Sequence, residues 1–187
     1  MSRGRARAAA PMAPDPDETT VVEDADHRGE QPAAAALSDV VLKTCDLANI
    51  LARRATASRV ELRSCRATGI TLSNASLRDV LVRGTQLDLA GFDAATLDRV
   101  RFEDCVLREA SFLDARLHSV AFENCDLSGA DFTGVEVSRV EIVGCRLDRL
   151  RGVPSLRGVQ MRWTDVLDNA GLFAASLGIA VLEEDAG

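Results

Sequence analysis

Apolar residues recur at every fifth position from Leu37 to Leu147, through Leu42, Leu47, Ala52, Ala57, Leu62, Ala67, Leu72, Leu77 and Val82 and on to Val137 and Ile142. All 23 of these positions are apolar. A second column lies two places before each centre (Val40, Cys45, Ile50, Ala55, Val60, Cys65, Ile70 and onward), and Thr85 is its only polar member. On an α-helix five residues advance by roughly 500°, so such centres would spiral around the cylinder instead of forming a stripe. On a flat strand an odd period would put successive centres on opposite faces. The chain is therefore expected to turn a corner about every five residues and to aim each short segment inward, as a solenoid does.

A longer period sets the size of one turn. The cysteines, Cys45, Cys65, Cys105, Cys125 and Cys145, are separated by one or two steps of four segments each, and Thr85 fills the missing step. Val40, Val60, Val80, Val100, Val120 and Val140 repeat with the same spacing. A step of four segments predicts a square coil with one segment per side and like residues stacked in ladders. Phe102 and Phe122 then share one side, while Phe92, Phe112 and Phe132 share the opposite one. With coils spaced like neighbouring strands, the repeats make a rod of roughly 28 Å.

Segments such as Cys125-Asp126-Leu127-Ser128-Gly129, Ala130-Asp131-Phe132-Thr133-Gly134 and Ala110-Ser111-Phe112-Leu113-Asp114 resemble the A-(D/N)-L-x-x units of the pentapeptide repeat family. The resemblance implies an all-β solenoid, a right-handed quadrilateral parallel β-helix, over residues 37–150. Ala52, Ala57 and Ala67 depart from the family pattern, standing where larger centres are usual.

The flanks are different material. Residues 1–36 combine Arg3, Arg5 and Arg7 among alanines with a Pro-, Asp- and Glu-rich stretch, and are expected to form a disordered tail, without the apolar run of a secretory signal. After Leu150 the beat breaks at Gly152 and Pro154, and Leu156 and Met161 resume it one residue early. Residues 151–187 are expected to be a C-terminal cap. Within it Thr164 is a candidate N-cap, and an amphipathic helix of about 165–177 carries Val166, Ala170, Phe173 and Leu177 at helical spacing, with Gly178 as its stop. Capping answers a physical need, since a coil stack ends in an open rung whose core and backbone donors face water. Trp163, Val166, Ala170, Phe173 and Leu177 are the candidate cap contacts, and dimerisation through C-terminal ends in some family members makes the same residues candidates for a homodimer contact.

Candidate chemistry is sparse. The cysteine ladder predicts parallel inward thiols that fill space without converging on a metal, so neither a metal site nor a cofactor is expected. Five unpaired thiols fit a reducing compartment, the cytoplasm. His27 falls in the expected tail and His118 on an outward position. Ser111, Asp114, His118 and Ser119 are near one another in sequence but fall on different sides of a coil. A filled solenoid is expected to lack an interior cleft, and no enzymatic activity is predicted. No apolar stretch approaches the roughly 20 residues of a membrane span.

Charge changes the functional expectation. The net charge is −7, which argues against direct nucleic-acid binding. From Leu37 to Leu87 eight Lys or Arg face four acids, whereas from Asp88 to Leu150 seven Arg face thirteen acids. Asp88, Asp93, Asp98, Glu103, Asp104, Glu109, Asp114 and Glu123 form the candidate interaction surface of the acidic half. The leading expectation is a rigid protein-binding or scaffold module. The alternative implied by the resemblance is a DNA mimic that binds DNA gyrase and protects it from quinolones, but a duplex mimic should be acidic along its whole length, and this rod is basic in its first half.

Overall fold

The structure, a computed structural model, describes residues 8–13, 19–30 and 36–181. The chain winds into a parallel β-solenoid of about 6 turns followed by a short pair of helices. Its strands are β1 (Thr20–Glu23), β2 (Ala36–Lys43), β3 (Thr56–Arg63), β4 (Ser76–Arg83), β5 (Thr96–Glu103), β6 (Arg116–His118), β7 (Ala121–Glu123), β8 (Glu136–Ser138) and β9 (Glu141–Val143). Pairing is parallel and joins each residue to its counterpart one full coil later, as in Val40↔Val60, Val60↔Val80 and Val80↔Val100. These strands form two adjacent sides of the square. The other two sides pair through short bridges with the same offset, such as Asp46↔Arg66 and Leu51↔Thr71.

The corner that a period of five demands is made by the last residue of each segment, which takes a left-handed backbone. Asn49, Asn74 and Asn124 have φ of 58°, 59° and 53°. Asn and Asp tolerate this region better than most side chains, and Gly occupies other corners. Once the corner is turned, backbone donors can reach an adjacent coil, as the Asn49 amide reaches the Thr68 carbonyl at 2.9 Å.

The core is filled as the ladders predict. Phe112 stacks between Phe92 and Phe132 at 4.8 Å from each, and meets Phe102 and Phe122 edge-on across the bore at 6.5 and 5.6 Å. The cysteine thiols donate along the ladder to backbone carbonyls, Cys105 to Val82 at 3.4 Å and Cys65 to Leu42 at 3.5 Å. Burial pushes the Cys65 thiol pKa up. Thr85, 1% exposed, is satisfied within the same ladder: it donates to the Arg83 carbonyl and accepts the Cys65 amide.

Three expectations are corrected. Residues 19–30, placed in a disordered tail, add rungs to the solenoid: β1 pairs with β2, Val22 and Ala25 pack on the core, and Lys43 Nζ meets Glu23 Oε1 at 2.6 Å. Residues 8–13 also lie against the rod, through hydrogen bonds described below; the rest of the expected tail lies outside the described residues. The expected single helix is two, α1 (Trp163–Asp168) and α2 (Ala170–Ser176), broken at Asn169. Thr164 lies inside α1 and its N-cap position is Arg162, without a side-chain cap. Finally, the early coils enclose an apolar cavity of about 410 Å³, where a filled interior was expected. It borders Ala52, Ala57 and Ala67, whose methyl groups are too short to close the coil they share.

The end of the solenoid is built around a shortened register. Gln160 pairs with Glu141, one position short of a full coil, matching the early return of the beat. A 3-10 turn at Val153–Leu156 precedes it, and Val153, Leu156, Val159, Met161, Leu172 and Phe173 close over the last coil. Gly152 is required there: its φ is 74°, and a Cβ would come within 2.1 Å of the Thr133 nitrogen. Gly152→Ala is expected to lower stability by about 2 kcal/mol or more, through backbone strain and displacement of the rung below. Chemical denaturation would read this as a lower midpoint with an unchanged slope.

Candidate functional site

The eight acids of the predicted surface do not form one face. Asp98 lies on the side centred on Leu97; Glu103, Asp104 and Glu123 lie on the next; Asp88 and Glu109 on the third; Asp93 and Asp114 on the fourth. Most are engaged in ladders with neighbouring coils. Asp88 accepts Arg108 at 2.7 Å, Glu103 accepts Arg83 at 2.8 Å, and Glu123 accepts Arg101 at 2.5 Å. Asp98 accepts Arg99 at 2.9 Å, Asp104 accepts the Asn124 amide at 3.4 Å, and Asp93 accepts the Ser111 hydroxyl. Such exposed pairs contribute little stability each, but they spread positive charge among the negative and leave no acidic column.

The Ser–His–carboxylate residues stay apart. Ser111 bonds Asp93, His118 contacts Arg139, and Ser119 is buried on another stretch of the wall. No group of three or more His, Cys, Asp or Glu among the described residues is placed to hold a metal ion. The cap set divides as well. Phe173 packs on the core and Val166 is half-buried, whereas Trp163 and Leu177 are 73% and 75% exposed and Ala170 is also exposed.

A different face is occupied. On the edge where the first two sides meet, outward positions that should be wet are buried: Val41, Glu61, Asp79, Ser119, Ala121 and Glu141. Residues 8–13 lie across this edge. The Ala8 amide donates to Glu141 Oε1 at 2.8 Å, and the Met12 amide donates to Asp79 Oδ1 at 3.1 Å. Glu141 and Asp79 are about three coils apart, or roughly 15 Å along the rod, which four residues span only if extended. Ala8 and Pro11 are half-buried while Ala9, Ala10, Met12 and Ala13 are exposed. That spacing of three is the period of a polyproline II chain.

The floor under this segment is polar and preorganised. Arg99 clamps Asp79 through Nε at 2.7 Å and through a terminal nitrogen at 2.9 Å. The Arg99 guanidinium, helped by the Met12 amide, holds the Asp79 carboxyl below the usual carboxylate range despite its burial. Asp39 and Arg59 repeat the pair two coils earlier. Glu61 is gripped by Arg63 at 2.6 and 2.7 Å. Ser119 Oγ lies between the two contact points, buried and without a hydrogen-bond partner among the described residues. Alternating carboxylate and guanidinium rows with small residues between them can take the backbone of an extended peptide, accepting its N–H groups.

The sequence expectation missed this site because each of its residues looks like ordinary solvated surface. A signal was present in the small outward residues Ser119 and Ala121 on a wall otherwise rich in long side chains, but small residues alone do not say what covers them.

The residues that carry the fold also decide the family, since a pentapeptide repeat region model matches residues 35–112 and 83–151. The chain belongs to the pentapeptide repeat family. No curated protein matches it. Among solved structures it is similar to QnrB1, a plasmid-mediated fluoroquinolone resistance protein, at 16% identity and a TM-score of 0.40, covering 86% of this chain and 100% of that one. It is similar to HetL of Nostoc sp. strain PCC 7120, a pentapeptide repeat protein involved in heterocyst differentiation regulation, at 15% identity and a TM-score of 0.36, covering 78% and 92%. Rfr23, a pentapeptide repeat protein of the cyanobacterium Cyanothece 51142, is 19% identical with a TM-score of 0.32, covering 70% and 90%. These likenesses concern the fold. No helix among the described residues of this pentapeptide repeat protein is long and apolar enough to cross a membrane.

Acid should loosen the occupied face. The Asp79 carboxyl pKa is lowered by folding, and so is that of Asp131, which accepts the Thr133 amide. A lowered folded pKa stabilises above the unfolded value of about 3.9, and the contribution is lost as pH falls below it toward the folded value. Thermal stability is therefore expected to be level from pH 7 to 5 and to fall below about pH 4. Asp79→Asn should reduce the size of that fall.

Proposed function

We propose that this protein is a non-enzymatic scaffold whose working surface is the edge bearing Asp79, Ser119, Ala121 and Glu141, and that it binds extended polypeptide. The reading is carried by one observation: an extended segment already lies on that edge, bonded through its backbone to two buried carboxylates. Because Asp79 is held by Arg99 and the wall is rigid, little ordering is needed on the protein side when a peptide binds. In this chain residues 8–13 act as the resident ligand, so a partner peptide competes with them.

The test uses the full-length chain with residues 8–13 replaced by a Gly-Ser sequence, alongside the unaltered chain. A fluorescent peptide of residues 8–13 is expected to bind the replaced chain at least tenfold more tightly than the unaltered one. Asp79→Ala with Glu141→Ala, which removes both acceptors, should abolish that binding. Equal affinity for the two chains, or none for either, would contradict the proposal.

The duplex-mimic reading, with gyrase as partner, is not adopted, because the acids are spread over four sides and Asp88, Glu103 and Glu123 pair with arginine. The five free thiols fit the cytoplasm; finding them oxidised in protein taken from cells would contradict that placement.

A further inference from the structure

The cavity in the early coils is a consequence of one coil's composition. Its four centres are Ala52, Ala57, Leu62 and Ala67, so three of the four side chains that should meet on the axis are methyl groups. The neighbouring coils do not compensate: Leu42, Leu47, Ile50, Leu72, Leu77 and Val82 line the space without filling it. Leu62 and Leu72 are inward centres and yet only partly buried, whereas Leu97, Leu107, Leu117 and Leu127 in the later coils are at most 1% exposed. The same chain therefore closes its bore with phenylalanine and leucine in one half and leaves it open in the other.

The space has a definite shape and chemistry. It runs from His27, Glu30, Ala36 and Leu37 at the N-terminal end to Phe92 and Phe102, which seal its floor. That is nearly four coils, or roughly 18 Å at the spacing of neighbouring strands. Its bordering polar residues, His27, Glu30 and Thr56, all have solvent-accessible side chains, and the interior is aliphatic apart from the two rings. Water would find no partners inside, and apolar cavities of this kind stay dry or take an apolar guest. The volume of about 410 Å³ lies within the range of small-molecule sites.

We propose that the open half of the solenoid bore is a binding site for a linear alkyl chain, which enters tail-first from the N-terminal end and leaves its polar head at the mouth beside His27 and Glu30. A bore of this depth accommodates about ten to fourteen extended carbons at roughly 1.3 Å per methylene. Recognition lies in the tail, because among the described residues the mouth carries one His27–Glu30 pair at 3.0 Å, and both side chains are solvent-accessible.

Binding is measured with dodecanoic acid, dodecan-1-ol and dodecylamine, each below its aggregation concentration, by titration calorimetry and by the shift in melting temperature of the full chain. One equivalent of each is expected to bind and to raise the melting temperature, with affinities within about tenfold of one another, since the tail is shared. Preference for one head by a larger factor would overturn tail recognition, and absence of saturable binding for all three would overturn the site. Ala57→Leu and, separately, Ala67→Leu are expected to weaken binding at least tenfold while raising the melting temperature of the ligand-free chain. That opposite movement distinguishes a filled bore from a damaged fold. Either folded variant binding like the unaltered chain would contradict the assignment.

Discussion

Phe112→Asp is expected to abolish folding. Phe112 is fully buried, stacked on two rings of its own ladder and edge-on to two of the opposite one. Losing a buried phenylalanine costs about 3–5 kcal/mol by itself. The carboxylate adds several kcal/mol more, because no donor in the dry centre of the coil can meet it. The sum reaches the whole stability of an ordinary domain, about 5–15 kcal/mol. Far-ultraviolet circular dichroism should show loss of the β signal at room temperature. Phe112→Leu, which keeps an apolar group, should remain folded with a lowered midpoint. A folded Phe112→Asp chain with undiminished thermal stability would mean that this centre does not face the core.

The second large effect concerns register. Removing Glu109 alone shifts every later segment by one position, so that Phe112, Leu117 and Phe122 leave the axis and polar neighbours enter it. Removing residues 105–124 joins Asp104 to Cys125 and preserves both the inward pattern and the side on which each residue falls, shortening the rod by one coil. Stability in a stacked-repeat protein is close to a sum of repeat and interface contributions. The shorter rod is therefore expected to fold with a modest loss, and the single deletion to be unfolded or aggregated. Removing one segment of five keeps the centres inward but moves later ladders onto the neighbouring side, stacking Phe112 over Leu87 in place of Phe92, and should fall between the two. Thermal melts of the three variants check the order, and equal stability of the single and whole-coil deletions would contradict the account.

How much of this was legible in the chain depends on whether a residue points inward. Inward residues must satisfy a period, so the four-segment coil, the cysteine ladder and the two phenylalanine stacks could be read directly from spacing. The shortened register at Gln160 could be read for the same reason. Outward residues obey no period. The occupied edge was invisible because its burial comes from a segment distant in sequence from Asp79, and hydrogen bonds from backbone amides leave no trace in side-chain type. The N-terminal rungs were hidden differently. Val22 and Ala25 do stand one full coil before Leu42 and Cys45, but acids and prolines around them dilute the beat. The break at Asn169 was hidden because helical spacing of apolar residues continues across it; there the Asn169 side chain donates to the Asp165 carbonyl at 2.8 Å. The cavity was present in the sequence as Ala52, Ala57 and Ala67, but composition alone does not reveal whether neighbours move in to fill a gap.

The most direct test of the central claim, that the edge at Asp79 and Glu141 holds extended polypeptide, is residue-resolved amide hydrogen exchange of the full-length protein. The Ala8 and Met12 amides, which bond to Glu141 and Asp79, should exchange at least tenfold more slowly than those of Ala9, Ala10 and Ala13, and Asp79→Ala with Glu141→Ala should remove the difference. Uniformly fast exchange across residues 8–13 in the unaltered protein would contradict the account.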